Sequence, residues 1–303
     1  SEIKGPASHC YNYAPIQANG YAAGIVGSLS GRLYLSSNRG TVTGVQTANV
    51  GGIAAYMSGN SRIDSCANYA AVKGANQAVG GIVGNGTYTS IIVSNCENFA
   101  DVTATSAAAY GVGGVVGRGN MMLEACVNYG NVASESYGTG GILGDGTAKI
   151  TGCVNFGKVT TTYDLASKKS GNAGGIAGNG AYLVSGCINH GDVTGLRYVG
   201  GVMGLNNSGN TNIQGVYTDC KVTGTDAATT DAIAAWVDGK ATCEDAYYLQ
   251  EGTPSARGSL VTRAELYKKN LGENFVHHEY ALPTPKGLEK NGDVNIHAVD
   301  LYF

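Results

Sequence analysis

Six cysteines recur at a near-constant interval along this chain: Cys10, Cys66, Cys96, Cys126, Cys153 and Cys187. Thiolates can hold zinc or close disulfides. Zinc sites draw on pairs two to four residues apart, whereas these stand about 30 apart. Side chains stacked in register from parallel repeats point the same way rather than at each other, which does not suit a disulfide. Ser36 and Val216 fall at the same place in other repeats, so the position asks for a small buried side chain. Cys220 and Cys243 lie off this row and are the pair to consider for a disulfide.

Two residues after the cysteine position stand Asn12, Asn38, Asn68, Asn98, Asn128, Asn155 and Asn189. A row of amides could line an active site. An internal ladder, each amide bonded to the next, is the expectation, because stacked identical Asn residues satisfy one another.

The next column is Tyr13, Arg39, Tyr69, Phe99, Tyr129, Phe156, His190 and Asp219. If Asn points inward, this column points outward. It is either an aromatic ladder shielding the turn or a platform for the apolar faces of sugar rings. Tyr69, Phe99, Tyr129 and Phe156 are the binding candidates on the second reading. Tyr21, Tyr110, Tyr137 and Tyr198 form a second set at another corner. Nineteen Tyr against one Trp fits exposed amphipathic aromatics.

Other chemistry is thin. His277-His278-Glu279 has metal-ligand character but no fourth ligand at a recognisable spacing, so no metal is expected. Asp101, Asp145, Asp192 and Asp219 do not align as the carboxylate pair a glycosidase needs. Gly-x-Gly strings such as Gly84-Asn85-Gly86 lack the Lys-Ser/Thr of a phosphate loop and read as corner glycines. No catalytic residue and no cofactor is assigned.

What must position these columns is a repeat of about 30 residues, written about eight times. Its clearest copy is Gly113-Gly114-Val115-Val116-Gly117, then Leu123, Cys126, Asn128 and Val132. Short β-branched runs between Gly and Asn corners do not suit helical repeats. The fold expected is all-β: a parallel β-solenoid, or β-helix, of about eight coils with three short strands per coil. These are the Gly-rich run, the run ending at the Cys, and the run carrying the Val. At about 4.8 Å per coil the rod would be roughly 38 Å long, and stacking closes a core that one coil cannot close alone. The largest insertion, 160–172 with Asp164, Lys168 and Lys169, should bulge from a corner.

Composition limits the functional classes. Gly is 48 of 303 residues with scarce Pro and no collagen period. Charged residues are only 14% and the net charge is −3, which speaks against nucleic acid and anionic membrane as partners. No apolar run approaches the roughly 20 residues of a membrane span. A surface of Thr, Ser, Asn and Gly points to an extracellular or cell-surface protein, with any signal or anchor removed from this chain.

The pattern Gly-Gly-Ile/Val-Val/Leu-Gly followed by Ile-x-x-Cys-x-Asn-Tyr/Phe-Gly-x-Val resembles the GLUG repeat of bacterial surface and secreted proteins. That repeat is found in Bacteroides-type surface proteins and in streptococcal IgA-cleaving peptidases. The resemblance covers 10–235. It implies a stalk or binding module without catalytic residues of its own; the peptidases depend on a zinc domain with His-Glu-x-x-His, which is absent here.

Residues 1–239 read as the solenoid and 240–303 as a C-terminal cap. The cap has one short helix at about 263–270, signalled by the capping box Thr262-Arg263-Ala264-Glu265, and a terminal strand over 294–303. A cap is needed because a parallel solenoid leaves an open strand edge. At the other end, either an upstream segment is missing or residues 1–5 fold over the first coil. The expectation is a non-enzymatic surface or secreted module for adhesion, ligand presentation or spacing, whose partner is a host or microbial surface glycan or protein. Two alternatives stand beside it: a carbohydrate-active enzyme on a β-helix, and a targeting region of a larger secreted enzyme.

Overall fold

The structure is a computed structural model that describes residues 1–46, 49–106, 109–135, 137–162, 171–206, 211–237, 241–253, 255–278, 282–290 and 293–294. One coil shows the plan. Its strands are Gly111–Gly113, Val116–Gly119, Met122–Glu124, Val127–Asn128 and Val132–Ser134. Each pairs in parallel with its counterpart one repeat later: Val116 with Leu143, Leu123 with Ile150, Asn128 with Asn155, Val132 with Val159. The chain is therefore a parallel β-solenoid of about eight turns, with four long sheets running down its length. The three expected strands are all present. Each coil adds a fourth side, the short strand before the glycine pair, which its small residues hide from any apolar period.

Two apolar compartments run along the axis. One lies between the glycine-rich strand and the cysteine strand, and holds Val116, Leu123, Cys126, Ile142 and their counterparts. The other joins the Val column (Val72, Val102, Val132) to Val79 and Val112 of the fourth side. The chain crosses between the compartments at Gly114 and again at Asn128. There the glycine backbone lies on the amide, and a Cβ on Gly114 would come within 2.3 Å of Asn128 Cγ.

Cys126, Asn128 and Gly130 all face inward, as the step of two predicts. The alternation survives because one residue per coil turns the chain. His9, Leu35, Ser65, Asn95 and Ala125 hold φ between 49 and 53°, and Gly152, Gly186 and Gly215 hold 56 to 64° in the same column.

Glu2–Ile3 pairs with Ser28–Leu29, so the first residues form a rung of the glycine sheet. Parallel pairing also continues past residue 239, since Thr242–Tyr248 stacks on Asn212–Thr218. The helix is Arg263–Leu266, closed by the predicted capping box. It is shorter than expected because Lys268 N–H and Lys269 N–H bond three residues back, to Glu265 and Leu266. Of the expected terminal strand 294–303 only Val294 is described, in the strand Asp293–Val294; 295–303, residues 163–170 of the insertion and Gly239 lie outside the described residues.

The C-terminal segment does more than close an end. After Ser259–Leu260 it leaves the last coil and runs back along the flank. Val261, Leu266, Leu271, Phe275 and Leu282 pack there on Val127, Val154, Ile188 and Tyr217. These last four are outward residues of consecutive coils.

A candidate binding cleft beside an aromatic stack

The outward column forms a continuous stack. Tyr69 and Phe99 lie 4.8 Å apart, Phe99 and Tyr129 4.9 Å, and Tyr129 and Phe156 5.2 Å, all within 9° of parallel. Arg39 caps one end, 4.1 Å above the Tyr69 ring. His190 continues the other, 4.9 Å from Phe156. The coil spacing imposes this, because in-register rungs recur at about 4.8 Å, close to the stacking distance of aromatic rings.

Tyr69, Phe99, Tyr129 and Phe156 are thus brought together, but as a ladder. Both faces of each ring are covered by a neighbour, so only edges reach solvent. A sugar ring cannot lie flat on those faces, so of the two readings of this column the geometry is that of the ladder. The second set is not one column: by register Tyr110 and Tyr137 match in consecutive coils, while Tyr21 and Tyr198 fall one residue further on. Tyr21 stacks on Tyr56 at 5.6 Å, Tyr110 lies under Arg118, and Tyr198 leans on Trp236.

The stack ends in an ion-paired latch. His190 Nδ1 lies 2.8 Å from Asp219 Oδ1, and Arg263 donates to Asp219 Oδ2 at 3.1 Å. Arg263 opens the C-terminal helix, so this network ties the helix to the flank.

Next to the stack is a cleft of about 530 Å³, within the ordinary range of ligand sites. Its floor is the outward column Ala67, Val127, Val154 and Ile188. One wall carries the edges of Tyr129, Phe156 and His190, and the other is the returning chain from Leu282 to Leu288. Tyr217 and Leu282 line one end, and Leu35, Ser65 and Glu97 the other. Glu97 is the single carboxylate on the described lining, and no Lys or Arg lines it. Glu97 forms no ion pair among the described residues. Burial, with Glu97 nearby, pushes the Tyr129 hydroxyl up to about 12.

The other candidates are structural. Each Asn amide donates to the next: Asn68 to Asn98, Asn98 to Asn128 and Asn128 to Asn155, all at 2.8 Å. Each also donates to a carbonyl two residues on, as Asn128 does to Gly130 O at 2.7 Å. The cysteines of the row from Cys66 to Cys187 are buried, and all eight are free. Cys243 packs against the first compartment and Cys220 lies in a separate cluster, so the pair considered for a disulfide is apart. Burial pushes the thiols of Cys96 and Cys153 well up.

Asp219 sits in the latch, and the other candidate aspartates cap corners or join local pairs. Asp101 accepts from Asn131 N–H and Asp192 from Lys221 N–H, while Asp145 meets Arg118 at 3.2 Å. His278 bonds to Thr284, Glu279 lies outside the described residues, and no group of three metal-ligating residues forms among those described. No described helix is long and apolar enough to cross a membrane.

The cleft went unseen in the sequence because it needs the C-terminal segment as a wall. Two signals pointed to it. The outward column turns apolar at Val127, Val154 and Ile188, and the turning column changes from Ala125 to Gly152, Gly186 and Gly215. The returning chain lies against those glycines: a Cβ on Gly186 would come within 2.6 Å of Asn274 Cβ, and one on Gly215 within 2.1 Å of Leu271 O.

No protein-family profile and no curated protein matches the sequence. Among solved structures, the chain is similar to the crystal structure of a "putative immunoglobulin A1 protease" from Bacteroides ovatus. The likeness covers 93% of this chain and 75% of that one, with a TM-score of 0.43 and 17% identity.

Proposed function

We propose that the chain is a non-enzymatic module of a bacterial surface or secreted protein, a rigid rod that carries a ligand on one flank. The cleft between the solenoid and the returning chain supports this reading. It is apolar-floored and walled on two sides, and its described lining carries one carboxylate, where glycoside hydrolysis takes two. The aromatic stack stiffens the wall, and the buried Asn ladder stiffens the rod behind it.

The repeat pattern is of the GLUG type in this reading, which favours an exterior location and a partner that is a surface glycan or protein. The test exposes the full chain to a glycan array, to displayed peptides and to soluble polysaccharides. Retention of a ligand without new reducing ends is expected. Release of reducing ends that vanishes in Glu97→Gln would overturn the non-enzymatic reading.

A further inference from the structure

We propose that the cleft is a docking site for an extended peptide segment of a partner protein, with apolar side chains on the floor and a Lys or Arg paired to Glu97. The inference rests on the binding-module reading and names its ligand class. The flank already holds a peptide of this kind. From Leu271 to Leu288 the chain's own C-terminal segment runs down it toward the first coils, burying Phe275 and Leu282 on Ile188 and Tyr217. The contacts with Gly215, Gly186 and Gly152 mark its path, coil by coil.

The cleft continues that trough past Gly287, over the floor formed by Val127, Glu97 and Ala67. Three to four rungs at about 4.8 Å give room for four or five extended residues. The floor there is Val and Ala, so it favours aliphatic side chains. The one carboxylate on the described lining is Glu97, half-buried and without an ion-pair partner among the described residues. A cation that reaches it replaces lost hydration with a charge-assisted bond. Residues 295–303 are a poorer match, since they contain Asp300 and, beside His297, no Lys or Arg.

The test is selection of random nonapeptides displayed on phage against the full chain, with affinities then measured by fluorescence polarisation. Enriched peptides should combine aliphatic residues with a Lys or Arg. Their affinity should fall at least tenfold in Glu97→Lys and in Ala67→Arg, both with unchanged melting temperature. Enrichment of acidic peptides, or affinities unmoved by either variant, would overturn the proposal. So would peptides that bind only after residues 295–303 are deleted, because the cleft would then belong to the chain itself. A glycan whose binding Ala67→Arg abolishes, with no peptide enriched, removes the peptide class and leaves the binding-module reading intact. If no displayed peptide and no arrayed glycan binds, both fall.

Discussion

Gly114 and Asn128 are one structural unit although 14 residues separate them: the glycine backbone lies on the amide so closely that a Cβ would stand 2.3 Å from Asn128 Cγ and 2.2 Å from Gly141 O. The same contact recurs between Gly81 and Asn98 and between Gly141 and Asn155. The glycine and the Asn of the repeat are therefore a single requirement. Gly114→Ala should cost about 3 kcal/mol, the upper range for overpacking a buried site. Gly20→Ala, with nothing within 4 Å of its Cβ, should stay within about 0.5 kcal/mol. Urea unfolding of the two variants checks the difference.

Asn128→Leu keeps the number of side-chain heavy atoms, adds volume beside Gly114 and removes the bonds. Asn98 Nδ2 loses one of its two acceptors, and Asn155 Oδ1 and Gly130 O lose a donor. A buried polar group left unpaired costs about 1–3 kcal/mol, so a loss of several kcal/mol is expected, read as a lower melting temperature. A melting temperature equal to the parent's would refute the ladder as a source of stability.

Gly186→Ala strikes the attachment of the C-terminal segment. The residue sits at φ 64°, where a side chain costs about 1–2 kcal/mol, and its new methyl would press on Asn274. The segment 261–288 should become sensitive to protease while the far-ultraviolet dichroism of the rod is retained. Equal protection in variant and parent would show that the flank contact does not hold the segment.

The buried thiols set a pH dependence. Burial pushes Cys220 and Cys243 from 9.0 up to about 12, so the folded chain holds these protons more tightly than the unfolded chain. Their contribution to stability is fully present below pH 9.0 and is lost as pH rises toward about 12. Unfolding free energy measured from pH 8 upward should fall over that window, and less steeply in Cys243→Ala. At pH 8, Ellman's reagent should leave the row from Cys66 to Cys187 untouched until denaturant is added.

The architecture was legible because each coil repeats the same instruction. Val at one column, Cys at another and Asn between them can be buried only by stacking like on like, and parallel pairing then follows. The inward direction of Cys126 and Asn128 came from the same step of two. The fourth side was not legible: Gly111–Gly113 and its counterparts show no apolar alternation, and their strand character comes only from neighbours above and below.

The site divides in the same way. The sequence alone determined that Tyr69, Phe99, Tyr129 and Phe156 form one outward column, since column membership depends on period alone. Only the tertiary structure decided that their faces are spent on each other, because the rung spacing matches the stacking distance of rings. Only the tertiary structure could also place Leu282 to Leu288 opposite Glu97 and Val127. That contact joins segments more than 150 residues apart, and it depends on burial of the apolar outward residues of the middle coils, which no local pattern in the C-terminal segment encodes.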